Sequence, residues 1–126
     1  MKESILIIDF GSQVTKLIAR RIRELGVFSK IISFIDIKKD TFKDRLIRGI
    51  IFSGGPKSVD EKNSPKISKF VYEQGIPILG ICYGLQLIAK QFGGKIIPSE
   101  DREFGKTNIE LKKKYLFLEK VFLKKK

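Results

Sequence analysis

The chain holds a single cysteine, and the residues around it are the ones that would make a thiol do chemistry: Gly80-Ile81-Cys82-Tyr83-Gly84. This segment follows the apolar run 78–81 and precedes a stretch in which Leu85, Ile88, Ala89 and Phe92 recur at helical spacing. It has the glycine-x-nucleophile-x-glycine form of a strand-to-helix elbow, with Cys in the place of Ser. The elbow is tight and strained, so the residues two positions to either side, Gly80 and Gly84, must be small enough for strand and helix to close together. A sulfur at a helix N-terminus is favoured as the thiolate, the form that attacks. Cys82 is thus a candidate nucleophile. The same spacing also suits a structural cysteine packed as a small hydrophobe.

A second segment, Ser53-Gly54-Gly55-Pro56, ends another apolar run at 49–52. In a parallel sheet both turns open on the carboxyl edge of the strands, where ligands of such folds bind. Glycines at that edge direct backbone N–H groups into the site. One of them and the N–H of Tyr83 would form a pair of donors for an oxyanion. Gly-Gly-Pro is also ordinary turn punctuation.

The elements that must carry these turns alternate along the chain. Residues 5–8 read as a buried strand, and Ser12 precedes a helix in which Val14, Leu17, Ile18, Ile22 and Leu25 form one stripe up to Gly26. Residues 27–34 read as a second strand, 38–48 as a polar connection with room for a short helix, and 49–52 as a third strand. Ser64 and Pro65 have the cap and first-turn signature of a helix carrying Ile67, Phe70 and Val71 as far as Gly75. The strand at 78–81 and the helix closed by Gly93-Gly94 complete the series, with weaker strand patterns at 95–97 and 107–111. Strands alternating with helices predict an α/β fold, an open and mostly parallel sheet with flanking helices.

Composition excludes several classes. The chain has 126 residues, one Cys and no His, so a disulfide framework, a zinc finger and any His-based metal or catalytic centre within it are ruled out. No apolar run reaches the length of a membrane span, no secretory leader pattern opens the chain, and the expected compartment is the cytoplasm. The net charge of +12 invites a nucleic-acid reading, but half of the excess lies in residues 111–126, and no interleaving of aromatic and basic residues supports it. That last stretch reads as a Lys-rich tail or a truncated element. Asp9, at the end of the first strand, is assigned to hydrogen bonding of a neighbouring loop. Arg20, Arg21 and Arg23 lie off the apolar stripe and read as solvated. Gly105-Lys106-Thr107 imitates the end of a P-loop but lacks its upstream glycine.

Five segments in one order carry a more specific likeness: Ile8-Asp9-Phe10-Gly11-Ser12-Gln13, Ser53-Gly54-Gly55-Pro56-Lys57-Ser58, Asn63-Ser64-Pro65, Gly80-Ile81-Cys82-Tyr83-Gly84-Leu85-Gln86 and Arg102-Glu103-Phe104-Gly105. Together they resemble the class I glutamine amidotransferase domain of the GMP synthases, over roughly residues 4–110. The first and last segments point to that branch of the class I enzymes. The resemblance implies a flavodoxin-like sheet, incomplete at its C-terminal side, with residues 1–110 as part of the amidotransferase domain.

It also implies a reaction. Cys82 attacks the side-chain carboxamide of glutamine, ammonia leaves, and the glutamyl thioester is hydrolysed. By position, Gly55 and Tyr83 match the backbone oxyanion donors and Gln86 a residue lining the glutamine pocket. In the family a His activates the cysteine and a Glu two residues further on orients it, and ammonia passes to an ATP- and magnesium-dependent synthetase that aminates XMP. No metal or cofactor is expected in this chain. Its expected partners are glutamine, the remainder of the amidotransferase domain and the synthetase, in cis or in trans. With no His of its own, the chain is expected to show little activity alone, since loss of the activating base costs orders of magnitude in rate. Two other readings remain open: a noncatalytic glutamine-binding or interaction module, and a small basic nucleic-acid binder.

Overall fold

In the computed structural model, which describes residues 2–55 and 64–94, four strands form one parallel sheet. They are β1 (Ser4–Asp9), β2 (Phe28–Ser33), β3 (Ile47–Phe52) and β4 (Ile78–Gly80), in the order β2-β1-β3-β4. Two helices join them, α1 (Val14–Glu24) after β1 and α2 (Tyr83–Gln91) after β4. The expected strands at 95–97 and 107–111, the segment 102–105, Pro56 to Asn63 and the Lys-rich stretch lie outside the described residues.

Strand alternation divides the apolar side chains between the two faces of the sheet. Leu6 and Ile8 on β1 stand beside Ile50 and Phe52 on β3, and this face packs against Ile67, Val71, Tyr83 and Leu87. Phe10 extends the same core past the end of β1, with its ring 5.8 Å from Phe52 and 5.4 Å from Tyr83. The opposite face carries Ile7, fully buried, and Ser29, whose hydroxyl donates to the Ala19 carbonyl of α1 at 3.2 Å.

Helix α1 approaches this second face through Thr15 and Ala19, not through the stripe expected from its larger residues. Ile18 and Ile22 are half-buried flanks, whereas Leu17 is 51% and Leu25 82% exposed. Two short side chains one turn apart let the helix backbone come close to β1 and β2, and this excludes the long ones from the contact. Among the described residues α1 packs mainly on β2 and β1. On the same face of β3 and β4, Ile51 is half-buried and Leu79 is 56% exposed, so among the described residues an apolar strip of sheet is left open there.

The segment after Pro65 departs from expectation. In place of a helix from Pro65, residues 64–68 are irregular and a 3₁₀ helix spans Lys69–Gln74. The reason lies in α2: the Tyr83 hydroxyl donates to the Pro65 carbonyl, and Gln91 Nε2 donates to the Ile67 carbonyl at 2.8 Å. These bonds turn both carbonyls toward α2 and away from the direction along the chain that a helix from Pro65 would need. The polar connection holds one short 3₁₀ helix, Lys39–Lys43, and a second, Phe34–Asp36, precedes it directly after β2.

Phe52 is the side chain on which these layers converge, fully buried between Phe10 and Tyr72, at ring separations of 5.8 and 5.7 Å. Phe52→Ala should lower stability by about 3–5 kcal/mol. The measurement is the urea midpoint at unchanged slope, and a loss under about 1 kcal/mol would contradict this packing.

Candidate active site

The end of β4 leads into α2 through Ile81 and Cys82. Ile81 N–H donates to the Phe52 carbonyl at 2.9 Å, which extends the pairing of β4 with β3 by one residue. The chain then turns so sharply that Cys82 takes φ 54°, ψ −120°, the one non-glycine residue of positive φ among the described residues. A conformation of this kind costs about 1–3 kcal/mol, and it persists only where the surroundings over-determine it. Here they do. The amides of Leu85 and Gln86 both point back to the Cys82 carbonyl, at 3.1 and 3.3 Å, and Gly84 N–H is shared between the carbonyls of Ser53 and Ile81, at 3.0 and 2.9 Å.

The two elbow glycines are required by contact. A Cβ on Gly84 would fall on the Phe52 carbonyl, 2.6 Å from the Phe52 Cβ, and one on Gly80 would lie 2.8 Å from the Leu85 backbone. Cys82 itself is exposed, which removes the reading of a packed structural thiol.

The loop after β3 lies against this elbow. A Cβ on Gly55 would sit 3.0 Å from the Phe10 carbonyl and 3.4 Å from the Tyr83 ring, and one on Gly54 would sit 3.6 Å from the Cys82 Cβ. Gly54, Gly55, Cys82 and Tyr83 are therefore brought together at the carboxyl edge. In the first turn of α2 the amides of Gly84, Leu85 and Gln86 are engaged, and that of Tyr83 has no backbone acceptor among the described residues. The Tyr83 side chain turns away from the edge to Pro65 and is buried, which pushes its phenol pKa up, an effect partly offset by a hydrogen bond with Ser64. Gln86 is one turn into the helix, half-buried, with its Oε1 shielded from solvent and without a hydrogen-bond partner among the described residues.

Asp9 organises the loop after β1. Its Oδ1 accepts from the amides of Gly11 and Ser12, at 2.9 and 3.1 Å, and from Thr15 Oγ1 at 2.8 Å, the loop-bonding role expected of it. Slight burial pushes its carboxyl up, but the Gly11, Thr15 and Ser12 hydrogen bonds and the charge of Lys16 outweigh this and hold it below the usual range. Ser12 Oγ accepts from Val14 N–H at 3.1 Å, so it caps α1 from one position before the N-cap, Gln13. Arg20 and Arg21 pair with Glu24 in solvent, whereas Arg23 donates to the Ser29 carbonyl at 3.0 Å and ties α1 to β2. Among the described residues no three His, Cys, Asp or Glu side chains come together as a metal site, and no helix is long and apolar enough to cross a membrane.

A strained, exposed cysteine at a strand-to-helix turn, with a glycine loop of the neighbouring strand beside it, has the form of a nucleophile elbow. The profile of the glutamine amidotransferase class-I family matches residues 6–125, and the chain belongs to that family. Within it the similarity is to proteins named GMP synthase [glutamine-hydrolyzing]. That of Aliivibrio fischeri strain MJ11 is 48% identical over 109 residues, 86% of this chain and 21% of its own length. That of Finegoldia magna is 50% identical over 109 residues, 85% of this chain and 21% of its own. Among solved structures, a putative GMP synthase subunit from Thermoplasma acidophilum superposes with a TM-score of 0.66 at 36% identity, over 85% of this chain and 53% of that one. The chain thus spans about a fifth of the length of these curated relatives and about half of the solved chain.

The elbow and the Asp9 loop each make an expectation measurable. Gly84→Ala forces backbone apart at the elbow, and it should cost about 3 kcal/mol or more, read by thermal or urea unfolding; an effect within about 0.5 kcal/mol would contradict the close approach. For Asp9 the folded carboxyl lies below its unfolded value, so its contribution is present above about pH 4 and is lost as pH falls through the folded value. Asp9→Asn should therefore flatten the acid limb of stability between about pH 5 and 2, and an unchanged limb would count against the assignment.

Proposed function

We propose that this chain supplies the nucleophile and the oxyanion donors of a glutaminase site, which releases ammonia from glutamine for a synthetase that makes GMP. The observation that carries the proposal is the left-handed Cys82 at the head of α2, with Gly55 beside Tyr83. In this reading Cys82 Sγ forms a bond to the carboxamide carbon of glutamine, and the carbonyl oxygen takes the electron pair. The amides of Gly55 and Tyr83 stabilise that oxyanion without reorganising, because the strand end and the helix start hold them in place. As the tetrahedral intermediate collapses the C–N bond breaks, and the nitrogen leaves with a proton as ammonia. Water then cleaves the thioester, giving glutamate and the free thiol. Gln86, one turn into α2, lines the pocket in this reading.

The proton taken from the thiol and given to the leaving nitrogen needs a base and acid. In the family that group is a His oriented by a Glu. The 126 residues contain no His, so in this reading the base, like the ATP-dependent synthetase, lies in polypeptide outside them, in the same protein or in a partner.

The test uses the thiol directly. Glutamine should slow iodoacetamide alkylation of Cys82 in a saturable way. Glutamate release by the chain alone should be about a thousandfold or more below that of a site holding its base, and imidazole in the buffer should raise it in the wild type but not in Cys82→Ala. An alkylation rate indifferent to glutamine would overturn the substrate assignment. Rapid, Cys82-dependent turnover without imidazole would overturn the need for an outside base.

A further inference from the structure

The hydroxyls of Thr15 and Ser53 are 2.8 Å apart and buried, and Thr15 Oγ1 is also 2.8 Å from Asp9 Oδ1. A carboxylate only accepts, and a threonine has one proton to give, so Thr15 donates to Asp9 and Ser53 donates to Thr15. The direction of the chain is thereby fixed, from Ser53 through Thr15 to Asp9. With this bond every polar group of Ser53 is engaged, each on a different element. Its N–H donates to the Ile8 carbonyl of β1 at 3.0 Å, its carbonyl accepts from Gly84 N–H of the elbow at 3.0 Å, and its hydroxyl reaches α1. Asp9 in turn gathers the amides of Gly11 and Ser12, and Ser12 Oγ lies 3.3 Å from where a Cβ on Gly54 would stand.

We propose that the hydroxyl chain Ser53–Thr15–Asp9 is the positioning device of the site, and that it locks the loops after β1 and β3 and the Cys82 elbow into one register. Thr15 and Ser53 touch no reacting atom in this account; they act through Gly54, Gly55 and Gly84. The catalytic consequence rests on the glutaminase reading, while the locking itself does not. A buried apolar pair of the same shape would fill the space, yet it would leave Ser53 held by its two backbone bonds alone, with no directed tie to α1, because dispersion contacts carry little direction.

The test compares the full chain with Thr15→Val, Ser53→Ala and Thr15→Ser by amide hydrogen exchange. Thr15→Val and Ser53→Ala should raise exchange at Gly11, Ser12 and Gly84 by about tenfold or more, while Ile7 and Ile51 exchange as in the wild type; Thr15→Ser, which keeps the hydroxyl, should restore protection. Equal rises at every amide, no rise at Gly84, or failure of Thr15→Ser to restore it would overturn the positioning role. Ser53→Ala removes one oxygen from a small side chain and gives the answer should Thr15→Val not fold. Labelling of Cys82 by the diazoketone analogue of glutamine then reads the catalytic consequence. Its maximal rate should fall about tenfold in Thr15→Val and Ser53→Ala at an unchanged half-saturating concentration, against an unchanged iodoacetamide rate. A change in half-saturation alone would refute the alignment role. Diazoketone labelling of the wild type that rises linearly with concentration and is not slowed by glutamine would overturn the glutaminase reading, and the exchange pattern would still decide the locking.

Discussion

The site depends on the main chain of α2 meeting the main chain of β3. Gly84 can donate to the Ser53 carbonyl only because nothing projects from its α-carbon toward Phe52. That approach forces the preceding turn into the left-handed region at Cys82, and it thereby lifts the thiol off the sheet and into the open. The same approach brings Tyr83 beside Gly55 and sends its ring back into the core against Phe10. Exposure of the thiol, the approach of Gly55 to Tyr83 and anchoring of the helix are therefore results of one contact.

Much of this was legible in the sequence because the elbow depends on glycine, and glycine is visible in a string of letters. Gly80 and Gly84 bracket Cys82 at the spacing that steric closure demands, and the apolar runs at 5–8, 49–52 and 78–81 mark the strands that carry the two loops. The faces of the helices were less legible. In α1 the sheet contact is made by Thr15 and Ala19, which count little in an apolar pattern, and the larger Leu17 and Leu25 point to solvent. Residue size governs how closely two backbones approach, and hydropathy alone does not encode it.

The segment after Pro65 failed for a different reason. Its cap and stripe were read from neighbours in sequence, but the Pro65 and Ile67 carbonyls answer to Tyr83 and Gln91, which are distant in sequence. Pairing of the Thr15 and Ser53 hydroxyls was hidden in the same way, across a separation of 38 residues. The one signal available was the position of each, a small polar residue next to an edge already singled out by its glycines. Local patterns thus set the strands and turns here, and long-range hydrogen bonds overrode them where they turned a backbone carbonyl toward a distant donor.

Both proposed oxyanion donors, Gly55 and Tyr83, act through peptide nitrogens, so this half of the chemistry belongs to no side chain at all. Truncating Tyr83 leaves its amide in place, and at Gly55 a side chain can only be added, against the Phe10 carbonyl. A scan that deletes atoms residue by residue would find the thiol and pass over the groups that stabilise the charge. Those groups are open to substitution only through proline, which removes the nitrogen-bound hydrogen itself, or through replacement of the amide by an ester in a synthetic chain.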